Sequence, residues 1–410
     1  ALGISREKKA LGYSVQEVKA EDLVGAGTTS VAQALSGKVA GMNIKKTATP
    51  GGSNQIVIRG QNSITNNNSP LIVVDGIPFD NTSNVGNLDE GFWTGATDGG
   101  DGLSLVNNDD IESISVLKGP SASALYGSRA GNGVILITTK SGQGVKGTSI
   151  SVNTGLTIDR LMIQPDFQNS YGYGTGGVTT NGLTGTTVRK SWGVPMDGRM
   201  VTDWTGQTRP FTAYDNDLYD LFDTGTTWTS GVDVSMGGDK ASVRASASHM
   251  EQKGVVPTNK IERNTFTLRG TGTLLPKLTF DAKGTYSHLH GRNRPETGMS
   301  VYSPMFGVIY NPRSIHWSDY EPVTDSNGNI RQFEPALGVA TNVLWSFYQK
   351  GNDDYTDRIN GLVSLKYEFT DWLSLQGRYG LDHYSRKTTQ WYNPGASGLT
   401  RTNGGVGTYV

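Results

Sequence analysis

The 410-residue chain contains no cysteine. That absence removes disulfide scaffolds, thiolate metal sites and cysteine nucleophiles, and it leaves the compartment undecided by redox argument. Long apolar runs are missing too. No stretch approaches the roughly 18 residues that a spanning helix needs, and mean hydropathy is −0.40. A helical membrane protein is excluded, but a membrane β-barrel is not, because barrel strands alternate and the lumen and loops are polar. Charge is sparse and balanced. Charged residues make up 18% of the chain, below the roughly 25% of soluble domains. The 36 Lys and Arg nearly cancel the 37 Asp and Glu, so bulk electrostatics calls for neither nucleic acid nor an acidic surface. No GxxxxGK[ST] loop is present, so nucleotide hydrolysis is not expected. No leader is legible at Ala1, which in an exported protein reads as a processed or trimmed start.

What is abundant is glycine, 55 of 410 residues, near twice the usual share of about 7%. That suits a β-rich, turn-rich chain, and the length accommodates two or more domains. Residues 1–27 are polar and glycine-tipped, with Arg6, Lys8 and Lys9 clustered, and read as a flexible lead-in. Val31, Ala34, Leu35 and Val39 then mark one face of a helix with a Ser/Thr start and Gly41 as its stop. Short strands follow at Asn43–Lys46, Gln55–Ile58 and Leu71–Val74, the last closed by an Asp75-Gly76 turn. Ile114 and Val116 alternate with Ser113 and Ser115 as in a half-buried strand, and Lys118-Gly119-Pro120 ends it. Pro120 suits a first helical turn, Ala122 to Leu125 continue a short helix, and Gly127 stops it. The run from Val134 to Thr138 is apolar and β-branched, as in a strand covered on both faces. Up to about Gly142 the chain reads as a compact mixed α/β domain.

The wording of residues 110–142, DIESISVLKGPSASALYGSRAGNGVILITTKSG, closely resembles the plug domain of TonB-dependent outer-membrane transporters of the SusC/RagA type. ALGISREKKALGYSVQEV at the start, QIVIRG from Gln55 and PLIVVDGIP from Pro70 match as well. Four blocks in family order cover roughly the first third of the chain. The resemblance implies a plug over residues 28–142, followed in 143–410 by the N-terminal part of a transmembrane β-barrel with long extracellular loops. It also implies residence in the bacterial outer membrane, energy from a TonB-ExbB-ExbD complex, a SusD-like surface lipoprotein as lid, and import of oligosaccharides or peptides. No TonB box is recognisable, so that contact is expected before Ala1.

After Lys140 the residues themselves turn to a period of two. Ile150, Val152, Leu156 and Ile158 face one way; Phe266 and Leu268, Phe280 and Tyr286, and Leu365 within 359–369 repeat the pattern against Thr, Ser, Asp, Arg and Lys. Seven strands are expected, at 148–158, 231–236, 241–250, 262–274, 278–290, 356–369 and 372–384. Short turns at 237–240, 275–277 and 370–372 alternate strictly with long links such as 159–230 and 291–355, the asymmetry of outer-membrane barrels. Seven is odd, while bacterial single-chain barrels are even-numbered and closed. The expectation is therefore the first portion of a longer transporter, whose barrel in this family has 22 strands.

Candidate sites are weighed on the same terms. Gly172 to Gly177 matches GxGxxG, but neither a preceding apolar strand nor a following helix is present, so it reads as an external loop and not a dinucleotide site. His288 and His290 share a strand face; a third ligand is lacking, and they read as border residues. Asp98 and Asp101 are weak calcium candidates, with Asp109 expected to cap a helix. Acid pairs such as Asp353 and Asp354 sit in generic loops, and no catalytic residue is assigned; the chain reads as a transporter and not an enzyme. Asn66, Asn67, Asn68, Phe92 and Trp93 suit a solute chamber, since aromatic faces stack on sugar rings and amides match hydroxyls. No cofactor is expected beyond a structural calcium. Two other readings stand beside import of glycans or peptides: a siderophore or cobalamin receptor, and a secreted β-rich glycan-binding adhesin whose apolar strand faces pack inward. Lipid is a partner only in the first two.

Overall fold

The computed structural model describes residues 15–24, 30–47, 49–64, 67–83, 96–119, 126–173, 191–215, 218–298, 300, 302–331, 333, 342–394 and 408–409. Eight strands lie before residue 140: β1 (Val15–Lys19), β2 (Met42–Lys46), β3 (Asn54–Ile58), β4 (Leu71–Val74), β5 (Ile77–Phe79), β6 (Ala96–Thr97), β7 (Ile111–Leu117) and β8 (Val134–Thr139). Five of them form a mixed sheet in the order β1-β7-β8-β4-β5, parallel at β4/β8, and β2 pairs with β3 as a separate hairpin. β1 belongs to the stretch read as a flexible lead-in; here its backbone pairs with β7 from Val15/Leu117 to Lys19/Ser113. The Asp75-Gly76 turn is as expected, with φ of 49° and 85°, the twist that a two-residue hairpin requires.

The central strand β8 is covered on both faces. Ile135 and Ile137 join Val31, Ile56, Ile58, Ile72 and Ile114 in one core, while Val134 packs with Val73, Leu117 and Ala130 on the other side. This domain therefore has its own apolar interior. The helix is shorter than its periodicity suggests. It spans Val31–Ala34 and dissolves into turns at Gly37, whose φ is 74°, yet Val31, Ala34, Leu35 and Val39 are all buried as the pattern requires. The expected helix at 120–125 lies outside the described residues.

From Gly147 onward the strands are β9 (Gly147–Asp159), β10 (Met200–Thr202), β11 (Thr208–Pro210), β12 (Gly225–Gly237), β13 (Ala241–Lys253), β14 (Lys260–Leu275), β15 (Leu278–Arg292), β16 (Glu296–Thr297), β17 (Lys350–Glu368), β18 (Ser374–Tyr392) and β19 (Thr408–Tyr409), long except for β10, β11, β16 and β19. β9, β12 to β15, β17 and β18 are the seven strands anticipated, joined by short β19 in one antiparallel sheet ordered β19-β18-β17-β15-β14-β13-β12-β9. β9 and β19 stand at its two margins, so this wall is not closed into a ring in this chain. Links 238–240, 276–277 and 369–373 lie at one end, and 160–224 and 293–349 at the other. Strict alternation fails once: 254–259, at the long-link end, is a short connection.

The wall is inside-out relative to a soluble sandwich. Phe266, Leu268 and Leu365 are 54%, 59% and 47% exposed, with Phe280 half-buried. The alternate positions Arg244, Arg263, Thr265, Thr267, Arg269 and Lys283 are buried. An adhesin with inward apolar faces would show the reverse. On β17 the outward apolar series runs from Ile359 through Val363 and Leu365 to Tyr367. Eight residue steps at about 3.4 Å, tilted by about 40°, give a band about 21 Å tall, close to the ~25 Å of outer-membrane barrels. No helix among the described residues is long and apolar enough to cross a membrane.

Candidate functional site

The buried polar face of the wall meets the α/β domain along a seam rich in charged and hydroxyl groups, with one apolar cluster in which Leu105 packs on Met250, Ile261 and Leu289 of the wall. Alternation dictates this: every outward apolar residue places its neighbours inward, and these are rich in Arg, Lys, Thr and Ser.

At one end of the seam the Asp75 carboxylate, in the β4-β5 turn, accepts from Lys283 Nζ on β15 at 2.7 Å and lies 3.5 Å from Arg269 Nη1 on β14. It also accepts from the Thr139 N–H and hydroxyl at 2.9 and 2.8 Å. Burial pushes this carboxyl up, but Lys283 and Arg269 outweigh it and hold it below the ordinary carboxylate value. Arg269 additionally donates to Asp281 at 2.8 Å and to the Thr139 carbonyl at 2.7 Å.

Midway, Asp110 accepts from Arg244 at 2.8 Å, from Ser246 at 2.7 Å and from Thr267 at 3.2 Å, all on the wall. Arg263 donates to the Ser104 carbonyl at 2.6 Å, and Ser287 to the Leu105 carbonyl at 3.2 Å. Higher up, Arg358 forks onto Asp382 at 2.6 and 2.8 Å, donates to the Asp80 carbonyl at 3.0 Å and lies 3.4 Å over the Phe79 ring. Arg294, on the link beyond β15, pairs with Asp354 at 2.6 Å and donates to the carbonyls of Pro50, Gly51 and Asp98, each at 3.3 Å.

Such an interface differs in kind from the core of the domain it holds. Parting it exposes mostly groups that water solvates, so much of the opening cost resides in the ion pairs of Asp75 and Asp110 and in hydrogen bonds to plug carbonyls, with a smaller apolar share at Leu105. The apolar interior of the domain is made by its own residues and is separate from its grip on the wall.

The sequence candidates fall variously. Asp98 takes donors at every turn: Ser53 N–H at 2.8 Å, Ser53 hydroxyl at 2.7 Å and Gly100 N–H at 2.9 Å. Asp101 accepts from Asn54 N–H at 2.9 Å and Ser104 N–H at 3.0 Å, and burial raises its carboxyl against those bonds. These carboxylates are ringed by N–H and O–H donors, so in this structure they act as clamps on the start of β3. Asp109 caps nothing. Asn107 caps that short turn, and Asp109 accepts from Asn153 on the wall.

His288 and His290 face outward against Asp357 at 2.8 Å and Asp353 at 3.1 Å. Asn68 accepts from the N–H groups of Asn62 and Ser63, and Asn67 from that of Ser69, so these amides shape their own loop. Asn66, Phe92 and Trp93 lie outside the described residues, as do residues 174–177 of the glycine-rich stretch. At Gly172 a Cβ would sit 2.2 Å from the Phe211 ring, which gives that glycine a packing role.

Sequence reasoning missed the cap at the long-link end. Parts of 160–224 and 293–349 pack together through Tyr173, Phe211, Leu218, Val308, Trp317 and Phe347, with Arg209 held between Asp203 and Asp319 at 2.5 Å each. The aromatic density of these links was the available signal. The partners of the inward cations had none, because sequence shows which way a side chain points in a strand but not what lies opposite.

Comparison with known proteins bears on this arrangement directly. Residues 7–134 match the family described as TonB-dependent Receptor Plug Domain. The chain is 30% identical over 352 residues to the TonB-dependent receptor SusC of Bacteroides thetaiotaomicron, covering 84% of this chain and 31% of that protein. It is 26% identical over 395 residues to TonB-dependent receptor P26 of Formosa agariphila, covering 95% and 35%. The chain thus spans about a third of the length of these relatives. Among solved structures it superposes on the RagAB peptide transporter with a TM-score of 0.64 at 20% identity, covering 93% of this chain and 42% of that one, a likeness of fold.

Proposed function

The chain belongs to the TonB-dependent receptors of the SusC/RagA type, which are bacterial outer-membrane β-barrel proteins, and from that membership we propose that it takes part in TonB-driven nutrient import. Residues 28–142 serve as the plug and 143–410 as part of the wall. The observation that carries this reading is the polar seam. A domain with its own apolar core, held in a lumen by the ion pairs of Asp75 and Asp110 and by hydrogen bonds from Arg294 and Arg358 to its carbonyls, can be displaced as a unit by a pull from the periplasm and can return. Apolar packing spread along the whole seam, and not confined to Leu105 against Met250, Ile261 and Leu289, would resist both steps.

Oligosaccharides or peptides are the cargo in this reading, and a SusD-like lipoprotein covers the external mouth. The likeness of fold to the RagAB peptide transporter supports a peptide cargo, and the relationship to SusC supports a lipoprotein partner of the SusD kind. Deleting the receptor gene and supplying labelled glycans, peptides or ferric siderophores tests it. Loss of glycan or peptide uptake with siderophore uptake intact is expected, and the opposite pattern overturns the cargo class. Co-purification of a lipoprotein with the tagged receptor tests the lid.

A further inference from the structure

The upper end of the seam holds a connection of a different kind from the ion pairs below it. Glu296 and Thr297, at the root of the long external link 293–349, pair as strand β16 with Thr97 and Ala96 of β6, so an external link and the plug share backbone pairing. Glu296 is also the acid of a buried cluster. Its carboxylate accepts from Lys350 Nζ at 2.9 Å and from the Tyr392 hydroxyl at 3.0 Å, and Ser300 donates to its other oxygen. Tyr302 stacks on Trp345 with centroids 5.4 Å apart and lies against Tyr392 at 5.3 Å. The two short helices of the link, Pro304–Tyr310 and Val343–Tyr348, flank these residues. On the plug side the next residue after Thr97 is Asp98, which grips Ser53 immediately before β3. A contiguous chain of contacts therefore runs from the external cap through Glu296 and Thr97 to Asp98, Ser53 and the β2-β3 hairpin.

We infer that residues 294–297 are a coupling strap that transmits displacement of the external cap to the plug, with Glu296 as its positioning residue. Backbone pairing suits this role better than a side-chain contact, because strand register fixes both direction and distance, and a shift of β16 must carry β6 with it or break the pair. Arg294 sets the hinge. Its backbone is pinned to Asn352 on β17 in both directions, at 3.0 and 2.8 Å, so motion begins beyond it. The inference deepens the gating reading and takes its purpose from it: capture of a solute at the cap would loosen the plug from above while the pull comes from below.

Hydrogen exchange on the receptor carrying this chain, in detergent and without solute, tests the coupling. Glu296→Gln weakens the hold of Lys350 and Tyr392. Exchange at the Ser53, Asn54 and Gly100 amides is expected to rise about fivefold or more, the lower range of ordinary coupling, while the Thr139 amide at the Asp75 latch stays unchanged. Coupling is reciprocal, so Asp98→Asn should raise exchange at residues 296–303 by a similar factor. If Glu296→Gln leaves Ser53 and Asn54 unaffected, or Asp98→Asn frees Ser53 with no change at 296–303, the strap transmits nothing and the inference falls. Should Glu296→Gln not fold, the Asp98→Asn arm decides alone. Exchange reports coupling and uptake reports gating, so the two readings fail separately.

Discussion

Replacing Asp75 by asparagine tests the seam where a single group holds most. The side chains of Asp75 and Lys283 are each 4% exposed, and their contact is 2.7 Å. Asparagine keeps one acceptor for Thr139 but turns an amide or a neutral oxygen toward the Lys283 ammonium, which then has no counter-charge at that distance. Arg269 loses less, because Asp281 remains 2.8 Å away. Removing one partner of a buried pair costs about 3–5 kcal/mol, and about 1.4 kcal/mol is tenfold. The seam should therefore open about 100- to 4,000-fold more often.

Ser287→Cys supplies the readout. Ser287 is buried and donates to the Leu105 carbonyl across the seam, and the chain has no other thiol. Its labelling by a water-soluble maleimide reports seam opening. Asp75→Asn should raise that rate by the factor above, and adding Lys283→Met should restore it to within about tenfold of the parent, since removing both members of a buried pair is far milder than removing one. A single variant that labels within about twofold of the parent, or a double variant no better than the single, would refute the reasoning.

Leu268→Arg places a charge on the outward apolar band and should lower barrel stability in urea by about 2–4 kcal/mol, whereas the inward Thr271→Ser, which keeps the hydroxyl contact with Ser242 and loses one buried methyl, should cost only about 1 kcal/mol. Arg358→Lys keeps the charge but loses the fork onto Asp382 and the ring contact with Phe79; exchange at the Asp80 amide, which donates to Asp382, should rise about tenfold. Seam stability should also fall in acid. Lys283 and Arg269 hold the folded Asp75 carboxyl below the ordinary carboxylate value, so its stabilisation is complete above the unfolded pKa and is lost as pH falls through the lower folded value. Exchange at the Thr139 amide, corrected for intrinsic rates, should be flat from neutrality to about pH 5 and rise below about pH 4; a rise already at pH 6 would assign the effect to another group.

Much of the architecture was legible because the barrel wall is written in period two. Phe266, Leu268 and Leu365 identified their face, and all seven long strands were found, although β12 begins at Gly225 and not near 231, because Thr226, Thr227 and Thr229 carry no apolar alternation. β1 was hidden by the polarity of VQEVK, in which only Val18 is fully buried. Asp98 and Asp101 were visible as acids near glycines, but the donors that define their role arrive from Ser53 and Asn54, more than 40 residues away. The latch residues were legible as inward polar positions and no further. Their pairing, such as Asp75 with Lys283, is a long-range contact that no local pattern encodes.

The central claim is that the plug must move against the wall for import to occur, and a reversible tether measures it most directly. A Cβ on Gly380 would lie 2.6 Å from Ile77 Cγ1. One further bond of about 1.5 Å puts the two Cβ atoms within about 4.1 Å of each other, inside the disulfide range of about 3.5–4.5 Å. In the receptor carrying Ile77→Cys and Gly380→Cys, uptake of the cargo should fall to the deletion background when the pair is oxidised and return on reduction. Unchanged uptake with the crosslink complete would contradict the account.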